Sequence, residues 1–293
     1  MKYDIGKNKI KILGISSAKR AEHDCAREDP TSLWLLKLAL EHARKAGAKT
    51  ELIDLLELKI GACKECYSTC PAQCRFNEKT NQCDCYFFKE DALFVDEDSP
   101  VPLEDAYDIL TKDEFFKRFH DRGWYAERDE MWQVYTAMRK ADAVIFATAT
   151  HFYGRPSLLQ NMFSRLAALD GGVEKPLWGD GKNLNNSIKY SKSSRNKYKQ
   201  RLYGKHVAFI NCSKEGDSVT PNLMKACTMM GMKIIPYSVA YRVNWYSDPT
   251  YRSDTPNTKK DKYAIELAKD IGWQIVQEVK HSSRKYGTYT STI

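Results

Sequence analysis

The sequence predicts an α/β fold: a doubly wound, five-stranded parallel sheet in a three-layer α/β/α arrangement. Three observations carry this. Short apolar runs recur along the chain, and amphipathic segments of helical period alternate with them. That alternation calls for parallel strands covered on both faces by helices and joined by right-handed crossovers. The loops at 16–31, 56–88, 149–156 and 212–218, which follow the apolar runs, are rich in polar, aromatic or sulfur residues. Ligands of such sheets sit beyond the carboxyl ends of the strands.

Each element follows from local chemistry. KIKILGI, residues 9–15, is a buried first strand. TSLWLLKLALEHARKAG then places Leu33, Leu36, Leu40 and Ala43 on one helical face, with Thr31 or Ser32 as the start cap and Gly47 just past the end. KTELIDL, 49–55, alternates as a second strand. DEMWQVYTAMRKAD puts Met131, Val134, Tyr135 and Met138 on a further helical face. ADAVIFATAT, 141–150, is the strongest strand, and SLLQNMFSRLAAL the apolar helix after it. HVAFINC, 206–212, is the fourth strand. A helix over 220–231 ends at Gly231, KIIPYSV, 233–239, is the last strand, and DKYAIELAKDIGWQIVQEVK closes the fold. One domain over 1–280 is expected, with a Cys-rich and acidic insert (61–128) after strand two, a basic insert (171–204) before strand four, and a loose polar tail at 281–293.

Length and composition bound the rest. At 293 residues, 42% hydrophobic, the chain can bury a core without staples. No apolar run approaches the roughly 18–20 residues that cross a bilayer, and MKYDIGKNKIKILGI lacks the apolar core of a signal peptide. The expectation is a cytoplasmic protein with no membrane partner, in a compartment where disulfides are rare. The net charge of +8 is concentrated: residues 171–205 hold nine Lys/Arg against Glu174 and Asp180. Tyrosines interleave these lysines, a mix that suits single-stranded nucleic acid or an acidic redox partner; a solvated loop is the plainer reading and nucleic acid is not favoured. Residues 89–130 carry 14 acids against six bases and can fold back on the basic insert within an oligomer.

Two loops carry candidate ligand chemistry. After the first strand come Ser16, Ser17, Ala18, Lys19 and Arg20, and then the helix start at Thr31-Ser32. Free amides and a positive dipole end make such a start a seat for phosphate, to which Ser16, Thr31 and Ser32 add hydroxyls and Arg20 adds charge. An ordinary capped βα loop is the alternative. Neither a Walker loop nor G-x-G-x-x-G is present. After the strongest strand lies the stretch from Thr148 to Ser157, with Ala149, Thr150, His151, Phe152, Tyr153 and Gly154. A flat aromatic ligand would find apolar contact in Phe152 and Tyr153 and polar contact in loop amides up to Gly154. His151 can bond the ring or a substrate. Core packing for Phe152 and a surface role for His151 is the plainer reading. Cys212 to Gly216, with Ser213, is a second wall of the same pocket.

These stretches carry a resemblance. "KIKILGISSAKR…TSLWLLKLALEHARKAGAKTELIDLLELKIGACKEC" and "ADAVIFATATHFYGRPSLLQNMFSRL" resemble the NAD(P)H-dependent FMN reductase family, close to its iron–sulfur flavoprotein branch, and "DEMWQVYTAMRKAD" resembles the helix before that strand. The resemblance covers roughly residues 9–66, 128–169 and 205–240. It implies a flavodoxin-like fold, with FMN phosphate in the first loop and the isoalloxazine wrapped by the second. Its implied cofactor residues are Ser16, Ser17, Lys19, Arg20, Thr31, Ser32, Thr148, Ala149, Thr150, His151, Phe152, Tyr153, Gly154 and Ser213. It also implies reduction by NAD(P)H or a ferredoxin-type donor, a redox partner or small-molecule acceptor, and a homodimer or homotetramer. Ala18 stands at the family's phosphate-loop serine, and Ala149 and His151 at its proline and tyrosine.

Six of the nine cysteines cluster as C-x2-C-x3-C-x3-C-x8-C-x-C: Cys63, Cys66, Cys70, Cys74, Cys83 and Cys85. The first four can hold a [4Fe–4S] cluster, at the place where the iron–sulfur branch carries a similar run. The alternative is a tetrahedral zinc held by the same four or by Cys63, Cys66, Cys83 and Cys85, or unligated redox thiols. Cys25, Cys212 and Cys227 read as ordinary buried thiols. The function expected is an FMN-dependent oxidoreductase with an iron–sulfur cluster. The alternative is a zinc-stabilised flavodoxin-like binding protein or an electron carrier without turnover of its own.

Overall fold

A computed structural model describes residues 9–18, 30–63, 76–77, 81–83, 129–170, 200–213, 217–243 and 261–285. In chain order these form β1 (Lys11–Ser16), α1 (Thr31–Lys45), β2 (Lys49–Asp54), a 3-10 turn (Leu55–Glu57), β3 (Phe76–Asn77), β4 (Gln82–Cys83) and α2 (Met131–Lys140). There follow β5 (Ala143–Ala149), α3 (Ser157–Arg165), α4 (Ala167–Asp170), β6 (His206–Ser213), α5 (Thr220–Met229), β7 (Lys233–Val243) and α6 (Lys262–Lys285). β2, β1, β5, β6 and β7 form one parallel sheet in that order. The order reverses between β1 and β5, the switch point of a flavodoxin-like doubly wound sheet. β3 and β4 form a separate antiparallel pair.

The chain divides into two compact units: residues 1–59, 136–162 and 202–291, and residues 60–135, 163–201 and 292–293. The first holds the five-stranded sheet. β5 and β6 are apolar and buried nearly end to end, as central parallel strands must be. β2 lies at the edge, and its alternation yields no clean buried face, since Leu52 is 39% exposed. The core joins Leu35, Leu36, Ala39 and Leu40 of α1 to Ile145 of β5, Ile210 of β6, and Ile271, Ile275 and Val276 of α6.

The helix ends follow backbone chemistry. The N-cap of α1 is Pro30, with no side-chain cap bond, so neither Thr31 nor Ser32 caps the helix as the sequence suggested. The Pro30 carbonyl instead accepts from Trp34 N at 3.0 Å. Both expected glycine stops are present. Gly47 (φ +98°) donates to Arg44 O and Ala48 to Ala43 O; Gly231 (φ +73°) donates to Thr228 O and Met232 to Cys227 O. Each is a Schellman pair closed by a left-handed residue, which glycine adopts without Cβ strain. β7 runs four residues past its expected end. It carries a register irregularity opposite Val207 and Phe209, at Pro236, which has no N–H to give the ladder and sits on an edge strand. α6 continues to Lys285, beyond the boundary expected at 280.

The second unit is built around a buried cation. Arg165, at the end of α3, is 2% exposed and makes a buried ion pair with Asp129. Its Nη2 donates to Gln82 Oε1 at 2.9 Å and Asp129 Oδ1 at 3.1 Å, and lies 3.5 Å from Cys83 Sγ. Asp129 also accepts from Gly61 N, Met131 N and Gln82 Nε2. Burial alone would lower the pKa of Arg165; Cys83, Tyr135 and Asp129 outweigh it and hold the guanidinium charged, above its ordinary value. Tyr135 Oη donates to Arg165 O at 2.7 Å, its ring meets Phe76 edge-on, and Arg201 lies over Phe76 at 5.0 Å. Arg201 of the basic stretch is thus engaged in packing. In the first unit, Lys205 donates to the carbonyls of Arg139 and Ala141 at the end of α2.

Candidate functional site

The candidate site lies at the carboxyl ends of β1, β5 and β6 in the first unit. Ser16 ends β1 and Ser17 follows it; both are buried, as are Thr31 and Ser32 at the start of α1. Ser17 Oγ donates to Thr148 Oγ1 at 2.9 Å and Ser17 N to Ala147 O, so the β1 and β5 tips are tied together. Ser16 Oγ accepts from Ala18 N at 3.3 Å. Lys19 and Arg20 lie outside the described residues.

The ring loop is a tight turn. His151 N donates to Gly154 O at 3.0 Å and Gly154 N to His151 O at 2.9 Å, so those two amides are engaged within the turn and not held out for a ligand. Phe152 and Tyr153 have φ of +45° and +60°, the pattern of a type I′ turn with bulky residues where glycine or asparagine is usual. The left-handed region costs such residues about 1–2 kcal/mol each. Phe152 is 90% and Tyr153 65% exposed, so the strain presents two aromatic rings outward. Phe152 is therefore no core residue.

A polar network that the sequence reading missed braces this loop against β6. Asn211, fully buried, donates from Nδ2 to Thr150 Oγ1 at 3.2 Å and to Asp217 Oδ1 at 2.6 Å. Asp217 Oδ1 also accepts from Thr220 N at 2.8 Å. Thr150 N donates to Cys212 O, and Ser218 Oγ to Tyr153 O at 2.6 Å. The one available signal was a lone amide, Asn211, inside the apolar run HVAFINC. Thr220 Oγ1 is buried and has no hydrogen-bond partner among the described residues. Ser213 is buried in β6, and residues 214–216 lie outside the described residues. Arg155, also missed, follows the turn, and burial lowers its pKa. Burial pushes the Cys227 thiol up to about 12, with Arg155 opposing; Cys212 is buried as well, so both read as inert core thiols.

Of the six clustered cysteines, Cys63 and Cys83 fall among the described residues; Cys66, Cys70, Cys74 and Cys85 do not. Among the described residues no group of three or more His, Cys, Asp or Glu is placed to hold a metal ion. Among them, too, no helix is long and apolar enough to cross a membrane.

The model of the family NADPH-dependent FMN reductase matches residues 105–245, just under half of the chain and inclusive of the ring loop and the Asn211 network. The match bears out the FMN reductase part of the resemblance read from the sequence, and the five-stranded sheet is flavodoxin-like. RosB, solved with the bound intermediate 8-demethyl-8-formylriboflavin-5'-phosphate, shares the fold at 13% identity, with a TM-score of 0.56 over 95% of this chain and 82% of that one. A flavone reductase aligns at 16% identity over 96% of this chain and 66% of its own, TM-score 0.46. An NAD(P)H:quinone oxidoreductase from Methanothermobacter marburgensis aligns at 11% identity over 92% of this chain and 100% of its own, TM-score 0.46. No curated protein matches the chain in sequence.

Proposed function

We propose that this protein is an FMN-dependent oxidoreductase that moves electrons from NAD(P)H or a ferredoxin-type donor to an acceptor. The observation that carries the reading is a coincidence of position: the family match spans both the ring loop and the β6 and Asp217 positions that the Asn211 network ties to it. The donor set suits a phosphorylated flavin. Ser16, Ser17, Thr31 and Ser32 bring hydroxyls to one end of the site, and Thr148 to Gly154 with Ser213 bring a rigid turn and two outward rings to the other. Lys19 and Arg20 add the phosphate's counter-charge. The intermediate bound in RosB, a riboflavin phosphate derivative, belongs to the same chemical class. A flavin, when bound, supplies two-electron acceptance and stepwise release; the chain supplies binding, orientation and tuning.

In this reading the domain extends past the expected 280 through the end of α6 at Lys285, and the protein assembles as a homodimer or homotetramer. Cys63, Cys66, Cys70 and Cys74 hold a [4Fe–4S] cluster, with zinc as the alternative occupant and Cys83 and Cys85 as alternative ligands. The contact of Cys83 Sγ with Arg165 Nη2 favours the set without Cys83. One anaerobic preparation tests the whole: flavin, iron, sulfide and zinc are assayed together, and FMN is then added with NADH or NADPH. Bound FMN, bleached by a nicotinamide donor, is expected. Protein that takes up no FMN would refute the oxidoreductase reading. FMN that binds but is reduced only by a ferredoxin-type donor would leave an electron carrier.

A further inference from the structure

We propose that Thr150 donates its hydroxyl proton to a bound flavin, and that Asn211, oriented by Asp217, sets that direction. The inference rests on the flavin reading above and adds to it a positioning pair and a tuning contact.

The argument is one of proton direction. Asp217 Oδ1 lies 2.6 Å from one end of the Asn211 amide. Only the NH2 end can face a carboxylate oxygen, so the amide has one orientation. That orientation places Nδ2 3.2 Å from Thr150 Oγ1, which therefore accepts. The amide's own oxygen is 3.5 Å from the same hydroxyl, outside the roughly 2.5–3.0 Å of an effective O–H···O bond. A hydroxyl that accepts from the amide keeps one proton to give. Thr150 stands directly after β5 and directly before the strained turn, and its own N–H is tied to Cys212 O at 3.2 Å. The backbone is thus held, and the hydroxyl keeps a proton that the amide oxygen, at 3.5 Å, does not hold at effective bonding distance. Asn211 is fully buried and Thr150 nearly so, which strengthens each of these bonds relative to water.

A ring that takes up electrons gains density on its carbonyl oxygens and nitrogens. A donor aimed at such an atom binds the reduced ring more tightly than the oxidised one, because hydrogen bonds to the more charged acceptor are stronger. Thr150 then sets potential as well as affinity.

The test measures affinity in both redox states. Full-length protein, Thr150→Ser, Thr150→Val and Asn211→Leu are titrated with FMN and then reduced against a reference dye. Thr150→Ser should track the parent. Thr150→Val should weaken reduced FMN about tenfold more than oxidised FMN, which for a two-electron couple lowers the potential by about 30 mV. A merely structural loss would weaken both states alike. Asn211→Leu should shift the potential in the same direction, and Thr150→Val added to it should shift it little further. An unchanged ratio in Thr150→Val, or shifts that simply add, overturns the proposal while leaving FMN binding standing. If Asn211→Leu does not fold, the Thr150→Val and Thr150→Ser ratio decides alone. If the parent binds no FMN, the functional reading falls and this inference falls with it.

Discussion

Gly272 offers a test in which two forces oppose each other. It sits in the middle of α6, where alanine is the better helix former by about 1 kcal/mol. On local grounds Gly272→Ala stabilises. The tertiary structure says otherwise. A Cβ at this position would stand 2.0 Å from the Ala39 carbonyl oxygen, 2.8 Å from its carbon and 3.1 Å from its Cα. Relief to ordinary contact requires α1 and α6 to part by more than about 1 Å, since the obstacle is backbone and no rotamer can yield. Overpacking costs about 1–3 kcal/mol and occasionally more, and a backbone clash belongs at the upper end. Subtracting the propensity gain leaves a net loss of about 2 kcal/mol. In a chain of this size that lowers the melting temperature by roughly 4–8 °C, with a matching fall in the urea midpoint. Ala39→Gly should not rescue the variant, because the carbonyl remains. A Gly272→Ala protein as stable as its parent would refute the close crossing of α1 and α6.

Two further outcomes are expected. Arg165→Met leaves the buried Asp129 carboxylate, among the described residues, with neutral donors only and should cost about 3 kcal/mol in denaturant unfolding; adding Asp129→Asn should recover part of the loss, and strictly additive losses would show that the pair does not couple. His206 is buried at the start of β6, 3.0 Å from Ser282 Oγ, and burial, then Lys233, lowers its pKa to about 4. The unfolded histidine binds its proton near pH 6.5, above the folded value, so the unfolded state takes up protons first as pH falls. Stability is therefore lost between about pH 6.5 and 4, by up to about 1.4 kcal/mol per pH unit from this group. Unfolding midpoints of His206→Gln should flatten over that window, and an unchanged slope would remove His206 as a cause.

The strands, the helices and their order were legible in residues 9–55 and 129–280 because they rest on short-range periodicity. The Leu33–Leu36–Leu40–Ala43 stripe, the Met131–Val134–Tyr135–Met138 face and the glycine stops at 47 and 231 each need only a few neighbouring residues to be recognised. The helix start at Thr31 was less legible, because either hydroxyl had the right chemistry and only the backbone at Pro30 shows that neither caps. In the ring loop, residue types pointed to aromatic contact, but not to a turn whose His151 and Gly154 amides bond each other.

What the sequence alone determined is the alternating α/β order, the two glycine-closed helices and the stretches that line the sheet's carboxyl edge. What only the tertiary structure decided is the set of partners across that edge and in the second unit. Asn211 meets Thr150 across 61 positions and Arg165 meets Gln82 across 83. Propensity and periodicity act over a few residues. The direction of a buried proton or the pairing of a buried charge depends on atoms brought within about 3 Å by the whole chain.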